Sequence, residues 1–455
     1  MLFELMGPSA AGKTYFLNQI AKSFDFILYK ELLNTSDINN LLKSSSMSGK
    51  QDNCEFLHEN YINFCIDFIN KNLTNCNQKI NALRIFLTSC LNYEKIKHLE
   101  QNGYITIYDE LLLHRAFSFI TYSPDIENDT KKYFELTPLP DVAIICTAAK
   151  ETIKERLKKK PKIPNCYKNL DEKNIDLHIE KSLYVCQIAE QTLKERGIDV
   201  VKLDLSSNFE NNLNTTKRVI NDKISKYKDD LKAQLLKTSA SFQKNNTRHI
   251  LKTKNVFYCS FSTPNFTIPK EESERNSEMI FKHFGIEKNN LKDKTVLDLG
   301  SNCGAMLFHA SNYGIKKGIG IEYDKDKVIL SNKVANLSKL DFLEFQQGNI
   351  DKINPADIGK FDIVFALAID SHVNDKEHLF SILSKVTEKT LYFEGNSNCD
   401  IKYVQKKLKK YGFSKIKYLG FCNDDIRPSN NKRPMFVAQK KQKDYFKGLK
   451  ALLKR

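Results

Sequence analysis

Short apolar runs alternate with longer stretches whose apolar residues recur at helical spacing, and the alternation occurs in two blocks. In the first block MLFELM (1–6), FDFILYK (24–30), YITIYDE (104–110), DVAIICT (141–147) and DVVKLDL (199–205) read as strands. Compact β-branched runs of this kind are expected of strands covered on both faces. Between them the pattern predicts five helical stretches. One follows the first run to about Ser23. A long one spans about Cys54 to Leu99, with Phe64, Ile66, Phe68 and Ile69 at helical spacing. The third carries His114 and Arg115, the fourth is the basic ETIKERLKKKPK (151–162), and the last ends at Arg196. Strands alternating with helices predict a parallel sheet, so residues 1–230 form one α/β domain.

The second block begins at Thr295, where TVLDLG, KGIGIEYD, FLEFQQGNID, FDIVFALAID and TLYFEGN are strand-like, giving an α/β domain over 291–440. Residues 231–290 read as a linker plus the domain's leading helix. There KTSASFQKNNTRH (237–249) is polar, FYCSFSTPNFTIP (257–269) mixes aromatic and turn residues, and EESERNSEMIFKHF (271–284) is an amphipathic helix. Residues 441–455 form a short basic amphipathic tail.

A chain of 455 residues exceeds what one hydrophobic core usually organises, in keeping with two domains. No run approaches the roughly 20 apolar residues needed to span a bilayer, and the chain opens on a core strand without a signal-peptide pattern, so a cytoplasmic protein is expected. The eleven cysteines form no CxxC pair and read as reduced, mostly buried thiols. A net charge of +16 points to a polyanionic partner: nucleic acid, a phosphorylated glycan or anionic lipid, the last as a contact of the basic tail. The lysines are spread along the whole chain, so charge alone selects none of these.

The strongest local signal is GPSAAGKT. Gly7 and Gly12 let the backbone curl so that the amides of Ser9, Ala10 and Ala11 face phosphate oxygens. Lys13 supplies a point charge to the β- and γ-phosphates, Thr14 offers its hydroxyl to Mg²⁺, and the following helix adds its positive end. ATP and Mg²⁺ are therefore the expected ligands. No base-reading motif of the GTPases follows. The arrangement resembles the nucleoside monophosphate and thymidylate kinase group of P-loop kinases over about 1–230. That resemblance implies that Arg156 and neighbouring lysines reach the transferred phosphoryl group. It also implies that Asp109 holds Mg²⁺ or takes the acceptor's proton, with Glu110 as rival, and that Arg115 clamps the acceptor. The Asp-Arg pair of thymidylate kinases is not reproduced.

The second loop, VLDLGSNCG (296–304), followed by GIGIEYD, resembles the first two motifs of class I S-adenosylmethionine methyltransferases over about 290–440. Gly300 and Gly304 allow a close approach of backbone to ligand at the tip of the strand carrying Asp298, with Ser301 and Asn302 in the turn. Glu322 ends the next strand, placed to accept from two ribose hydroxyls. A Rossmann dehydrogenase shares this logic, but the loop lacks G-x-G-x-x-G spacing. The resemblance implies S-adenosylmethionine as cofactor, with Asn349 and Ile350 flanking the adenine. After the fourth strand Asp370 and His372 stand as candidate base or acceptor-orienting groups, Glu394 is a candidate for the acceptor site by its place at the end of the fifth strand, and Arg427 and Arg433 are candidates for an anionic acceptor.

Two donor loops on one chain imply two transfers to one molecule. A phosphate oxygen is already anionic, so a kinase can prepare what a methyltransferase then caps. This pairing is similar to the O-antigen chain-terminating kinase–methyltransferases, whose kinase half is of another type. The expected function is a bifunctional kinase and methyltransferase acting on a surface-glycan terminus or its precursor. The alternatives are an RNA-end kinase/methyltransferase, without the Glu/His metal cluster it would need, or a methyltransferase gated by nucleotide binding.

Overall fold

Each apolar strand run becomes part of the central sheet of one of two units, Met1–Lys226 and Tyr227–Arg455. The computed structural model describes residues 1–24, 27–29, 56–168, 170–244, 247–250 and 256–441. Cys54 and nearly all of the basic tail lie outside the described residues. Among the described residues no helix is long and apolar enough to cross a membrane.

In the first unit β1 (Leu2–Met6), β2 (Ile27–Tyr29), β3 (Ile105–Asp109), β4 (Val142–Thr147) and β5 (Asp199–Asp204) form a parallel sheet in the order β2-β3-β1-β4-β5. Helices α1 (Lys13–Ala21), α2 (Glu59–Asn72), α3 (Cys76–Gln101), α4 (Leu112–Phe119), α5 (Ile126–Leu136), α6 (Lys150–Lys158) and α7 (Glu172–Glu195) flank it. The long helix expected from Cys54 to Leu99 is two helices, because Leu73 turns to an extended conformation and the Asn75 side chain caps α3 by accepting from the amides of Asn77 and Gln78. Apolar spacing persists across that break, so the pattern alone could not show it. Tyr61, Phe86, Phe119 and Tyr133 interlock beneath these helices, and the Tyr133 hydroxyl donates to the carbonyl of Leu112.

Helix α8 (Phe209–Ser239) leads into the second unit and is followed by the hairpin β6 (Ser241–Lys244) and β7 (Thr247–Ile250). The polar stretch read as a linker is therefore regular structure, stabilised by backbone pairing that its composition does not advertise. Next come β8 (Phe257–Ser262), β9 (Thr267–Ile268) and β10 (Ser273–Asn276), a small three-stranded sheet. The predicted helix over 271–284 shortens to α9 (Ser277–Phe284), begun by the side chain of Asn276 and ended at Gly285, φ +67°.

The remaining elements alternate: α10 (Lys288–Leu291), β11 (Thr295–Leu299), α11 (Ala305–Ser311), β12 (Lys317–Glu322), α12 (Lys325–Leu337), β13 (Leu343–Gln347), α13 (Pro355–Ile358), β14 (Phe361–Leu367), α14 (Lys376–Val386), β15 (Thr387–Glu394), α15 (Ile401–Lys410), β16 (Phe413–Cys422) and β17 (Arg433–Lys440). The sheet order is β13-β12-β11-β14-β15-β17-β16, parallel except that β17 runs antiparallel to β15 and β16. In both units the chain reverses direction across the sheet beside its first strand, and ligands of open α/β sheets bind at that crevice.

Candidate functional sites

The glycine loop follows β1 directly. Gly7 has φ +143°, and a Cβ there would lie 2.0 Å from the Cys146 carbonyl oxygen, so any side chain would force the loop off the sheet. The buried Lys13 Nζ donates to the carbonyls of Gly7 and Pro8, both at 2.9 Å, which holds the loop in a ring around the ammonium. Burial lowers its pKa below that of an ordinary lysine, against the opposing charge of Glu110 and, less, Asp109. Thr14 Oγ1 donates to Asp109 Oδ2 at 3.2 Å, joining the start of α1 to the end of β3. A hydroxyl and a carboxylate are hard oxygen ligands of the kind Mg²⁺ takes. Ser9, Ala10, Gly12, Lys13 and Thr14 line a cavity of about 600 Å³.

Arg156 lines the same cavity, but its guanidinium donates to the Ala11 carbonyl at 2.5 Å and to the Leu205 carbonyl at 2.7 Å, bracing the loop from outside. Two neighbouring lysines depart from the expectation: Lys150 and Lys154 pair with Asp176 on α7, while Lys160 does face the cavity. Arg115 also departs from it. Buried, it donates to the carbonyls of Leu111 and Glu110 and does not line the cavity, so it shapes a turn and clamps no acceptor there. Sequence reading missed Tyr15 and Phe209, whose rings pack at 5.4 Å on the cavity wall, because only the fold brings the two together.

In the second unit Gly300, φ +74°, turns the chain off β11; a Cβ there would lie 2.5 Å from Ile369 Cγ2. The Gly300 and Ser301 amides donate to the Ile321 carbonyl, and the Asn302 amide donates to Glu322 Oε2 at 2.8 Å. The Asp324 amide holds the other oxygen of Glu322 at 3.0 Å. The carboxylate is thereby oriented, and its remaining lone pairs can accept ribose hydroxyls. Gly304 starts α11. Asp298, Glu322, Asn349 and Ile350 share one cavity of about 700 Å³.

Asp298 is only 3% exposed, and its side chain makes no hydrogen bond or ion pair among the described residues. Burial, with Glu322 beside it, pushes its pKa up to about 8. A buried carboxyl without a donor is costly once ionised, so near neutrality it holds its proton.

Other expected residues divide. His372 is exposed and lines the cavity. Asp370 does not; buried, its Oδ1 accepts from the Asn396 amide and Nδ2 at 2.8 and 2.7 Å, so it positions the end of β15 and is no base. Arg427 is paired through Nε with Glu274 and Arg433 through Nη2 with Asp425, both at 3.0 Å, and neither lines the cavity. Glu394 is also occupied, held by both outer nitrogens of Arg275 at 2.8 and 3.0 Å. Tyr258 and Phe261, from the stretch of mixed aromatic and turn residues, and Arg275, from the segment read as an amphipathic helix, also line the cavity. The aromatic residues of FYCSF were visible, but without a period they carried no direction.

Residues 290–443 match a family model described as a methyltransferase domain. A stretch of 66 residues, 14% of the chain, is 33% identical to the ribosomal protein L11 methyltransferase of Alkaliphilus oremlandii (strain OhILAs). The chain spans about a fifth of the length of that relative, 21%. Among solved structures, the N-terminal domain of EvdMO1 with SAH bound is 13% identical over 48% of this chain and 97% of its own, with a TM-score of 0.34. The bifunctional kinase-methyltransferase WbdD is 19% identical over 37% of this chain and 41% of its own, with a TM-score of 0.31. The family match alone places a methyltransferase domain within the second unit.

Proposed function

We propose that the chain is a bifunctional transferase. Its second unit moves a methyl group from S-adenosylmethionine, and its first moves the γ-phosphoryl group of ATP with Mg²⁺. The observation that carries the choice of donor is Asp298. A partnerless buried carboxyl beside Glu322 suits a ligand bearing an ammonium and a sulfonium, whereas a nicotinamide dinucleotide would put negative phosphates nearby. Glu322 would hold the ribose, Asn349 and Ile350 the adenine, and Ser301 and Asn302 the turn beneath the amino-acid portion. The donor supplies an electrophilic methyl; the chain binds and orients it. In the first unit the ring around Lys13 and the Thr14–Asp109 pair would hold triphosphate and Mg²⁺.

With Arg427 and Arg433 both neutralised, the methyl acceptor that fits is a hydroxyl, whose proton His372 can take at the cavity rim. A surface-glycan terminus or its precursor offers such hydroxyls to both transfers. Incubating the purified chain with methyl-labelled S-adenosylmethionine and extract of the source cells tests this; label entering RNase-sensitive material instead would favour an RNA acceptor.

The donor reading has a pH signature. An ionised Asp298 pairs with the cationic donor, but the free group holds its proton up to about pH 8. Donor binding must therefore release a proton below that pH, and affinity should rise toward a slope of about one decade per pH unit before levelling above it. In the free protein the sign is opposite. The folded state binds this proton more tightly than the unfolded chain, so the stability it contributes is complete below about pH 4 and lost as pH rises toward 8. Calorimetry with S-adenosylhomocysteine, which keeps the ammonium, in buffers of different ionisation enthalpy reads the released proton. In Asp298→Asn the release and the slope should vanish; a pH-independent affinity in the parent chain would count against a cationic ligand at Asp298.

A further inference from the structure

The segment joining β14 to α14, residues 368–375, borders the second cavity and carries His372. It leaves β14 through Ala368 at φ +54°, left-handed backbone that a residue with a Cβ rarely adopts. Buried contacts fix this near end. The Ala368 amide donates to the Glu394 carbonyl at 2.7 Å, and the buried Asp370 accepts from the Asn396 amide and Nδ2. Farther along, Ser371, His372, Asn374 and Asp375 are exposed, and the Asp351 carboxylate ties that end down. Its Oδ1 accepts from the Asn374 amide at 2.9 Å and the Asp375 amide at 3.4 Å, and its Oδ2 accepts from Asn374 Nδ2 at 2.7 Å.

Asp351 belongs to the turn after β13 that brings Asn349 and Ile350 to the same cavity. Asn349 builds that turn: its Oδ1 accepts from the Asp351 amide at 2.9 Å, and its carbonyl accepts from the amides of Lys352 and Ile353 at 2.9 and 3.0 Å. Hydrogen bonds therefore run without a break from Asn349 through Asp351 to Asn374, two residues from His372. The last link is exposed, and segments held by solvent-exposed hydrogen bonds open at low cost. A ligand that fixes Asn349 steadies the turn, and Asp351 passes that constraint to the segment carrying His372.

We propose that Asp351 is a positioning residue that places His372 for the acceptor once the methyl donor is seated. The proposal rests on the methyltransferase reading of this cavity, with Asn349 beside the adenine and His372 as the base. Asp351 itself touches neither the methyl group nor the acceptor's proton. It acts on the rate through the placement of His372, and a misplacement of about 1 Å can cost about 10²-fold. Donor occupancy is thereby read by the part of the site that handles the acceptor.

Hydrogen exchange on the full chain, with and without S-adenosylhomocysteine, tests this without any acceptor. In the parent the ligand should slow exchange of the Asn374 and Asp375 amides together with that of Asp351. Asp351→Ala should keep the dissociation constant for S-adenosylhomocysteine within about fivefold, the worth of roughly one hydrogen bond, yet lose the slowing over 371–375. With saturating methyl-labelled S-adenosylmethionine and source-cell extract as acceptor, this variant should transfer methyl about 10–10²-fold more slowly. Asp351→Asn, which keeps one accepting oxygen, should retain part of the rate, and Asn374→Ala, at an exposed position, should lose less than Asp351→Ala. In a His372→Ala background Asp351→Ala should cost no further rate, because the effect runs through the histidine. Slowing confined to 348–351 in the parent, a saturated rate for Asp351→Ala within about threefold of the parent, or a full added loss in the His372→Ala background overturns the proposal. A parent chain that fails to bind S-adenosylhomocysteine defeats the methyltransferase reading itself.

Discussion

Replacing Arg275 with leucine is expected to cost the second unit about 3–5 kcal/mol, at the upper end of single-residue effects. The guanidinium, 2% exposed, donates to both oxygens of Glu394 at the end of β15 and to both oxygens of Asp424 beyond β16. It thereby ties β10, β15 and the turn after β16 at one point. Without it two carboxylates remain buried side by side, a far greater penalty than the value of the lost bonds. The pH dependence gives a second reading. In the parent, burial pushes the Asp424 carboxyl up, but Arg275 more than reverses this and holds it below the usual aspartate value. Its contribution is therefore present above the unfolded pKa and lost as pH falls through the folded one. In the variant the stranded carboxylates should take up protons, so the deficit should be greatest near neutrality and shrink on acidification. Urea unfolding followed across pH, with Arg275→Leu/Glu394→Gln/Asp424→Asn as the neutralised control, measures both. A deficit under about 1 kcal/mol at pH 7 would falsify the account.

Lys13→Ala is expected to lower phosphoryl transfer by about 10²–10³-fold or more, the cost of removing one preorganised donor from developing charge. The ammonium is buried, ringed by the Gly7 and Pro8 carbonyls, and has no substitute in the loop: Arg156 is held by Ala11 and Leu205. Two assays run in parallel decide between a kinase and a nucleotide-gated methyltransferase. If the first unit is a kinase, the variant should lose γ-phosphate transfer while methyl transfer to an already phosphorylated extract proceeds. If nucleotide binding only gates the second unit, no labelled phosphate leaves ATP in the parent, and the variant alters methyl transfer alone.

Much of both loops was readable from residue order because each glycine turn is local. A glycine that must adopt positive φ, a neighbouring cation or carboxylate and the strand before it lie within a dozen residues, so Gly7 to Thr14 and Asp298 to Gly304 could be placed without a fold. The strands carrying them were legible for the same reason, since continuous β-branched runs announce burial on both faces. Polar side chains are different, because their roles depend on partners that only the folded chain identifies. Arg115, Arg427, Arg433, Asp370 and Glu394 all looked available to a ligand. Each proved to be held by a carbonyl, amide or opposite charge that nothing in its own segment signals. Conversely Tyr258 and Phe261 reached the cavity of the second unit from a segment whose composition gave no direction, and Arg275 from one read as an amphipathic helix.

By itself, then, the order of residues determined the two α/β patterns, the two glycine turns and the carboxylate after each, because period, φ preference and close spacing are properties of adjacent residues. Tertiary structure alone decided which charges stay available. It left the Asp298 side chain without a partner among the described residues, closed Arg275 between two carboxylates and bent Glu110 into the cavity beside Lys13. Burial sets the cost of a charge, and burial is created only when distant segments meet.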